Sequence, residues 1–345
     1  MSGGPVLIGI PGPELDDESR DRLAHPAVGG VVLFSRNFVD RKQLVTLVDA
    51  IRGVGEPRPL VCIDQEGGRV QRLVDGYTRL PPLGVLGRLH AGDPVKAVDM
   101  AYRHGRVMAM EMLASGIDLS FAPVLDLDRG SRVIGDRAFS ASPDVVTELG
   151  RSYLAGMHDA GMRTCGKHFP GHGSVEADSH TDDVTDPRPL EAIEASDLAP
   201  FRALMGDLDA LMIAHVVYPE VDERPAGYSA TWLRDILRER LAYRGLAVSD
   251  DLCMHAARVA GGLAARSAAC LDAGCDLVLV CHPQEVEELL GSGAAPERDA
   301  SSALSRLYGR PTVGREQLAA VVAEGIREWG HWQRSLEALG EQSWS

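Results

Sequence analysis

Basic residues are scarce relative to acidic ones: 35 Lys and Arg stand against 50 Asp and Glu, for a formal net charge of -15. A chain of that charge repels nucleic-acid phosphates and anionic membranes, so neither is expected as a partner. The sequence also lacks an apolar run long enough to span a bilayer. No N-terminal stretch combines basic residues, an apolar run and a small-residue cleavage site. A cytoplasmic protein is therefore expected. None of the six cysteines belongs to a CxxC pair or another metal-ligand spacing, and Cys62, Cys165 and Cys281 fall in apolar, strand-like runs. They read as reduced packing residues. HxH and HExxH spacings are missing too, which weighs against a metal centre built on His168, His172, His180 and His215. A metal-dependent barrel hydrolase stays as an alternative, but no metal and no cofactor are expected. The first turn, GIPGPE, lacks the GxGxxG dinucleotide fingerprint, and no low-complexity linker divides the chain.

The 345 residues, 45% hydrophobic and 25% charged, have the composition of a globular protein with a sizeable core, and single α/β barrels reach this length. Eight apolar, β-rich runs occur, at 5–10, 28–34, 60–65, 118–127, 162–169, 210–218, 246–251 and 275–282. Stretches of helical character separate them. Two of these, 93–116 and 142–161, carry apolar residues at helical spacing and end in Gly116 and Gly161. Eight such units predict a single (β/α)8 TIM barrel, with room for irregular strands, because the open doubly wound alternative usually has five or six strands. Residues 1–300 are assigned to the barrel. Residues 301–345 are expected to form a C-terminal loop and helix packed on it or on another copy.

In a barrel the chemistry gathers at the C-terminal ends of the strands. Polar residues stand there: DQEGGRVQR after the third, GDRAF after the fourth, KHFPGHG after the fifth, His215 in the sixth and SDD after the seventh. Asp250 leaves the apolar run LAV at such a rim. A lone acid there reads as a loop cap or salt-bridge partner, a reading that suits Asp251 better. Beside basic groups a carboxylate stays ionised and can act as a nucleophile. Asp178 and His180 are two apart, so in an extended loop their side chains project to one side and the carboxylate can orient the imidazole and raise its pKa. Taken alone, DSH would be a surface turn. Lys167, His168, Arg69 and Arg72 are fixed donors suited to sugar hydroxyls or anion oxygens, with rim salt bridges as the plainer reading.

KHFPGHG followed by DSH, with IDQEGGRVQRL upstream, FAPVLDL between and VSDDLCM downstream, resembles the β-N-acetylhexosaminidases of glycoside hydrolase family 3. More narrowly, the chain resembles the short bacterial enzymes of peptidoglycan recycling, over roughly residues 5–285. The resemblance implies a TIM barrel and a retaining exo-β-N-acetylglucosaminidase that removes terminal β-1,4-linked GlcNAc from (1,6-anhydro)muropeptides in the cytoplasm. It makes Asp250 the nucleophile and His180 the acid/base with Asp178 as its partner. Asp64, Arg72, Arg137, Lys167 and His168 become the sugar-binding set. Val248 and Cys253 depart from the Phe and Ser common in relatives. An imidazole on a glycine-hinged loop explains the crowding of ionisable groups over 166–180, with Gly171 and Gly173 as the expected hinge. A neutral imidazole does not repel a phosphate dianion, so a β-N-acetylglucosaminide phosphorylase is the alternative. A catalytically silent sugar sensor would lack the nucleophile or the dyad, and all three residues are present. The expected partner is a small-molecule substrate, with the chain a monomer or a weak homodimer.

Overall fold

The computed structural model describes residues 3–175, 184–324 and 327–342. Eight parallel strands form the central sheet: β1 (Val6–Gly9), β2 (Val28–Leu33), β3 (Leu60–Ile63), β4 (Leu119–Ser120), β5 (Cys165–Phe169), β6 (Ala210–Ile213), β7 (Leu246–Asp251) and β8 (Leu277–Val280). Each pairs in parallel with the next, β8 pairs with β1, and the bridges Leu119 to Arg163 and Val124 to Lys167 join β4 to β5. The result is a nearly closed (β/α)8 barrel, as the eight apolar runs predict.

Strand residues alternate between two apolar layers, because successive side chains leave opposite faces of a strand. Leu7, Val32, Cys62, Cys165, Met212, Val248 and Leu279 fill the barrel interior. Ile8, Val31, Ile63, Ile213, Ala247 and Val278 face the surrounding helices. All six cysteines are free and buried, in keeping with a packing role. The helices start where the sequence supplies caps. Asp40 accepts from the Gln43 N–H at the start of Arg41–Arg52, Asp93 from the Lys96 N–H at Pro94–Ala114, and Pro143 opens Pro143–Ala160.

Two expected strands are shorter than their apolar runs. The run 118–127 is regular only at Leu119–Ser120, since Pro123 offers no N–H to the ladder. The run 210–218 leaves the barrel after Ile213, and Val217–Tyr218 pairs instead with Asp222–Pro225 in a hairpin. The segment after residue 300 also differs from a plain loop. Its first part is a helix, Ser301–Leu307, whose Leu304 and Leu307 join the interior apolar layer. The helix lies beside the chain entering β1, where Ala300 N–H donates to the Gly3 carbonyl at 2.8 Å. It closes the N-terminal end of the barrel. Arg327–Gln342 packs on Pro94–Ala114, with Trp332 under the guanidinium groups of Arg103 and Arg106. With that end filled, the C-terminal mouth is left to hold a ligand.

Candidate active site

A cavity of about 360 Å³ opens at the C-terminal mouth, lined by residues from the ends of β2, β3, β5, β6, β7 and β8 and from the loop after β4. Every expected site residue among the described residues lies on it: Asp64, Arg72, Arg137, Lys167, His168 and Asp250. Asp178 and His180 lie outside the described residues.

The cationic side of the cavity is a single ion network. Lys167 comes from β5, only 2% exposed, and its Nζ lies 2.6 Å from Asp64 and 2.6 Å from Glu66. Glu66 belongs to a short hairpin, Gln65–Gly67 with Val70–Gln71, that follows β3. Its two oxygens accept from Arg137 Nε at 2.9 Å and Nη2 at 2.8 Å, a fork that holds the guanidinium plane. Arg72 stands 3.6 Å from Asp64. Burial alone would raise the Glu66 carboxyl, but the charges of Arg137 and Lys167 outweigh it and hold the group well below the usual carboxylate range. Burial would likewise lower the Lys167 ammonium, and the Asp64 and Glu66 carboxylates push it above its ordinary value instead. Both groups stay ionised, so the cavity wall presents oriented N–H donors that need no rearrangement to meet oxygen atoms.

Lys167 and His168 are neighbours in a strand and would ordinarily face opposite sides. The ladder between β5 and β6 shifts register between Gly166 and Phe169, and both residues line the cavity. His168 is held from behind by Asp126, which is fully buried. The His168 Nδ1–H donates to Asp126 Oδ2 at 2.6 Å, the His168 backbone N–H donates to the same oxygen at 3.1 Å, and the His172 N–H donates to Oδ1 at 2.7 Å. Because Nδ1 carries the proton, Nε2 is the nitrogen left to meet a ligand. Burial would raise the Asp126 carboxyl, yet the two neighbouring histidines and these donors bring it below its ordinary value.

Asp250 is the penultimate residue of β7, with its Oδ1 accepting the Asp251 N–H at 2.8 Å. Asp251 performs the bracing role its sequence position implies. Its Oδ1 accepts the N–H of Cys253 at 3.0 Å and of Cys281 at 3.1 Å, tying the loops after β7 and β8 together. Burial raises its carboxyl, and the adjacent Asp250 adds to that against the opposing hydrogen bonds. Arg69 is half-exposed on the rim, donates to the Val133 carbonyl and lies 3.9 Å from Asp136. Among the described residues, no three His, Cys, Asp or Glu side chains are grouped as metal ligands.

At Gly171 and Gly173 the structure shows close packing. A Cβ on Gly171, at φ 140°, would fall 2.5 Å from the Asp197 Cβ, and one on Gly173 would fall 1.8 Å from the Leu127 carbonyl oxygen. Glycine is required there by close approach. Glu66 and Asp126 are the residues that sequence reasoning missed. Both stand inside motifs it singled out, DQEGG and FAPVLDL, and a buried acid ending an apolar run is the available signal.

The pattern Glycosyl hydrolase family 3 N terminal domain matches residues 7–309. The chain is 50% identical over 337 residues to a β-hexosaminidase of Stenotrophomonas maltophilia, covering 97% of this chain and 99% of the relative. A β-hexosaminidase of Alkalilimnicola ehrlichii is 51% identical over 313 residues, 90% of each chain. Among solved structures, NagZ from Neisseria gonorrhoeae in complex with N-trifluoroacetyl-D-glucosamine superposes with a TM-score of 0.91 at 42% identity, over 99% of both chains. A matched domain spanning most of the barrel, with half the residues shared with full-length β-hexosaminidases, makes this chain a glycoside hydrolase belonging to family 3.

Proposed function

We propose that the chain is a retaining exo-β-N-acetylglucosaminidase that removes terminal β-1,4-linked GlcNAc from muropeptides, chiefly of the 1,6-anhydro type, in cytoplasmic peptidoglycan recycling. The observation that carries the reading is the placing of one oriented carboxylate, Asp250, in the same cavity as the ion network of Asp64, Glu66, Arg137 and Lys167. The gonococcal relative's complex with N-trifluoroacetyl-D-glucosamine supports an N-acylated glucosamine as the occupant. No helix among the described residues is long and apolar enough to cross a membrane.

In this mechanism the Asp250 carboxylate attacks the anomeric carbon while the bond to the leaving oxygen breaks, and His180, oriented by Asp178, gives that oxygen its proton. The resulting glycosyl ester is cleaved when water adds at the same carbon and passes its proton to His180. Asp64, Arg72, Arg137, Lys167 and His168 hold the sugar. Their charges are fixed before binding, so stabilisation of the transition state costs little reorganisation.

The test follows an aryl β-N-acetylglucosaminide with and without phosphate, and then treats the enzyme with a 5-fluoro N-acetylglucosaminyl inactivator. The expected results are free GlcNAc in both mixtures and a covalent label on Asp250, with Asp250→Asn losing about three orders of magnitude in turnover, or about 4 kcal/mol of barrier. A sugar 1-phosphate product would replace the hydrolase with a phosphorylase. A label on a different acid would remove Asp250 from the role.

A further inference from the structure

His215 takes no part in the mechanism above, yet it is 1% exposed, and its Nε2 lies 3.2 Å from the backbone carbonyl oxygen of Asp250. A carbonyl only accepts, so Nε2 carries the hydrogen and Nδ1 of the neutral ring is bare. Nδ1 has no hydrogen-bond partner among the described residues. The ring plane is set by Tyr228, stacked at 5.6 Å between centroids and 30° between planes. Tyr228 is fixed in turn by its hydroxyl, which donates to the Ala257 carbonyl at 2.8 Å. The imidazole thus comes from the segment after β6, stacks on Tyr228 of the same segment, which the loop after β7 anchors, and reaches across to β7 at the residue whose carboxylate faces the cavity.

We infer that His215 is a positioning residue for the nucleophile, its Nε2–H pinning the Asp250 main chain so that the carboxylate keeps its line to the anomeric carbon. The His215 N–H on the Asp250 carbonyl adds a side-chain anchor to the Asp251 N–H on its Oδ1. Loss of the His215 bond would leave the Asp250 carbonyl without this anchor and loosen the main chain that aims the carboxylate. Burial lowers the imidazole pKa despite the opposing Asp250 charge, which keeps the ring neutral and the bare Nδ1 unprotonated. The inference rests on Asp250 being the nucleophile, and its test separates the two.

His215→Gln retains an N–H donor at the same reach, whereas His215→Met fills similar space without one. The rate of covalent trapping by the 5-fluoro inactivator, the residue labelled and the affinity for free GlcNAc are measured for both variants and the parent enzyme. His215→Met is expected to trap at least tenfold more slowly with GlcNAc affinity within about twofold of the parent, and His215→Gln to recover most of the rate. Tyr228→Leu, which frees the ring without removing the donor, should slow trapping in the same way but less, and it serves as the reporter if His215→Met does not fold. Parent-like trapping by folded His215→Met or by folded Tyr228→Leu overturns the positioning role. So does a loss shared equally by Gln and Met together with GlcNAc affinity, which is the mark of a merely structural residue. A label on another acid in the parent enzyme instead overturns the assignment of Asp250.

Discussion

Glu66 holds two cations at once, and removing its charge should separate a structural from a functional role. Glu66→Gln leaves Arg137 and Lys167 buried with one carboxylate fewer, a loss of about 3 to 5 kcal/mol in stability for a broken buried pair. If the network also binds the sugar, kcat/KM should fall by a further factor equivalent to about 2 to 4 kcal/mol at temperatures where the variant is still folded. A lowered Tm with parent-like kcat/KM would make Glu66 structural alone. His180 calls for leaving-group chemistry. His180→Ala should slow cleavage of a disaccharide far more than that of a nitrophenyl glycoside, because a good leaving group hardly needs the proton. An unchanged dependence of rate on leaving-group pKa would assign the proton to another donor. At this scale the acids and bases were legible as members of motifs, but their pairing was not. Glu66 meets Arg137 across 71 positions and Asp126 meets His168 across 42, separations that local spacing does not span. The sequence does single out Lys167 in another way, since it is one of only three lysines with Lys42 and Lys96.

The barrel strands were legible because β strands buried on both faces read as unbroken Val, Ile and Leu runs. Their limits were less so. Where a run ends in the barrel depends on which neighbour still offers a ladder, and β6 loses its partner to a hairpin at Val217. The helix Ser301–Leu307 escaped because seven residues carry too little periodicity, and only the open lower end of the barrel gives Leu304 and Leu307 somewhere to go. Leu304 is 1% exposed, and its methyl groups lie where Cβ atoms on Gly3 and Gly29 would fall. Leu304→Ala should cost about 2 to 5 kcal/mol and lower Tm by several degrees. Because the helix stands at the end opposite the cavity, kcat/KM at 25 °C should stay within about twofold of the parent. A large loss of activity in a folded variant would couple the lower plug to the site.

For the whole molecule, acidity is the sensitive variable. His104 is fully buried, its Nε2–H donates to the Pro81 carbonyl at 2.9 Å, and burial brings its pKa down to about 4. A histidine whose folded pKa lies below its unfolded value contributes stability that is complete above about pH 6.5 and is lost as pH falls toward about 4. For this shift the loss is about 2 kcal/mol by pH 5 and about 3 kcal/mol once the folded-state group has titrated. His104→Gln, which keeps a donor for Pro81, should therefore lose about 2 kcal/mol less than the parent between pH 7.5 and 5 in denaturant titrations. Equal losses would show that His104 does not set the acid limit. Glu66 and Asp126, both held below ordinary carboxylate values, add a second loss below about pH 4 with the same sign. By itself the sequence determined the eight strand and helix units, the packing role of the six unpaired cysteines and the residue types on five strand ends, because periodicity and turn residues are properties of short segments. Only the tertiary structure decided that Glu66 holds Lys167 and Arg137, that Asp126 holds His168, that Lys167 and His168 line one cavity, and that His215 reaches Asp250. Those contacts exist only once the barrel brings its strand ends around a common axis, and no local pattern records a distance across it.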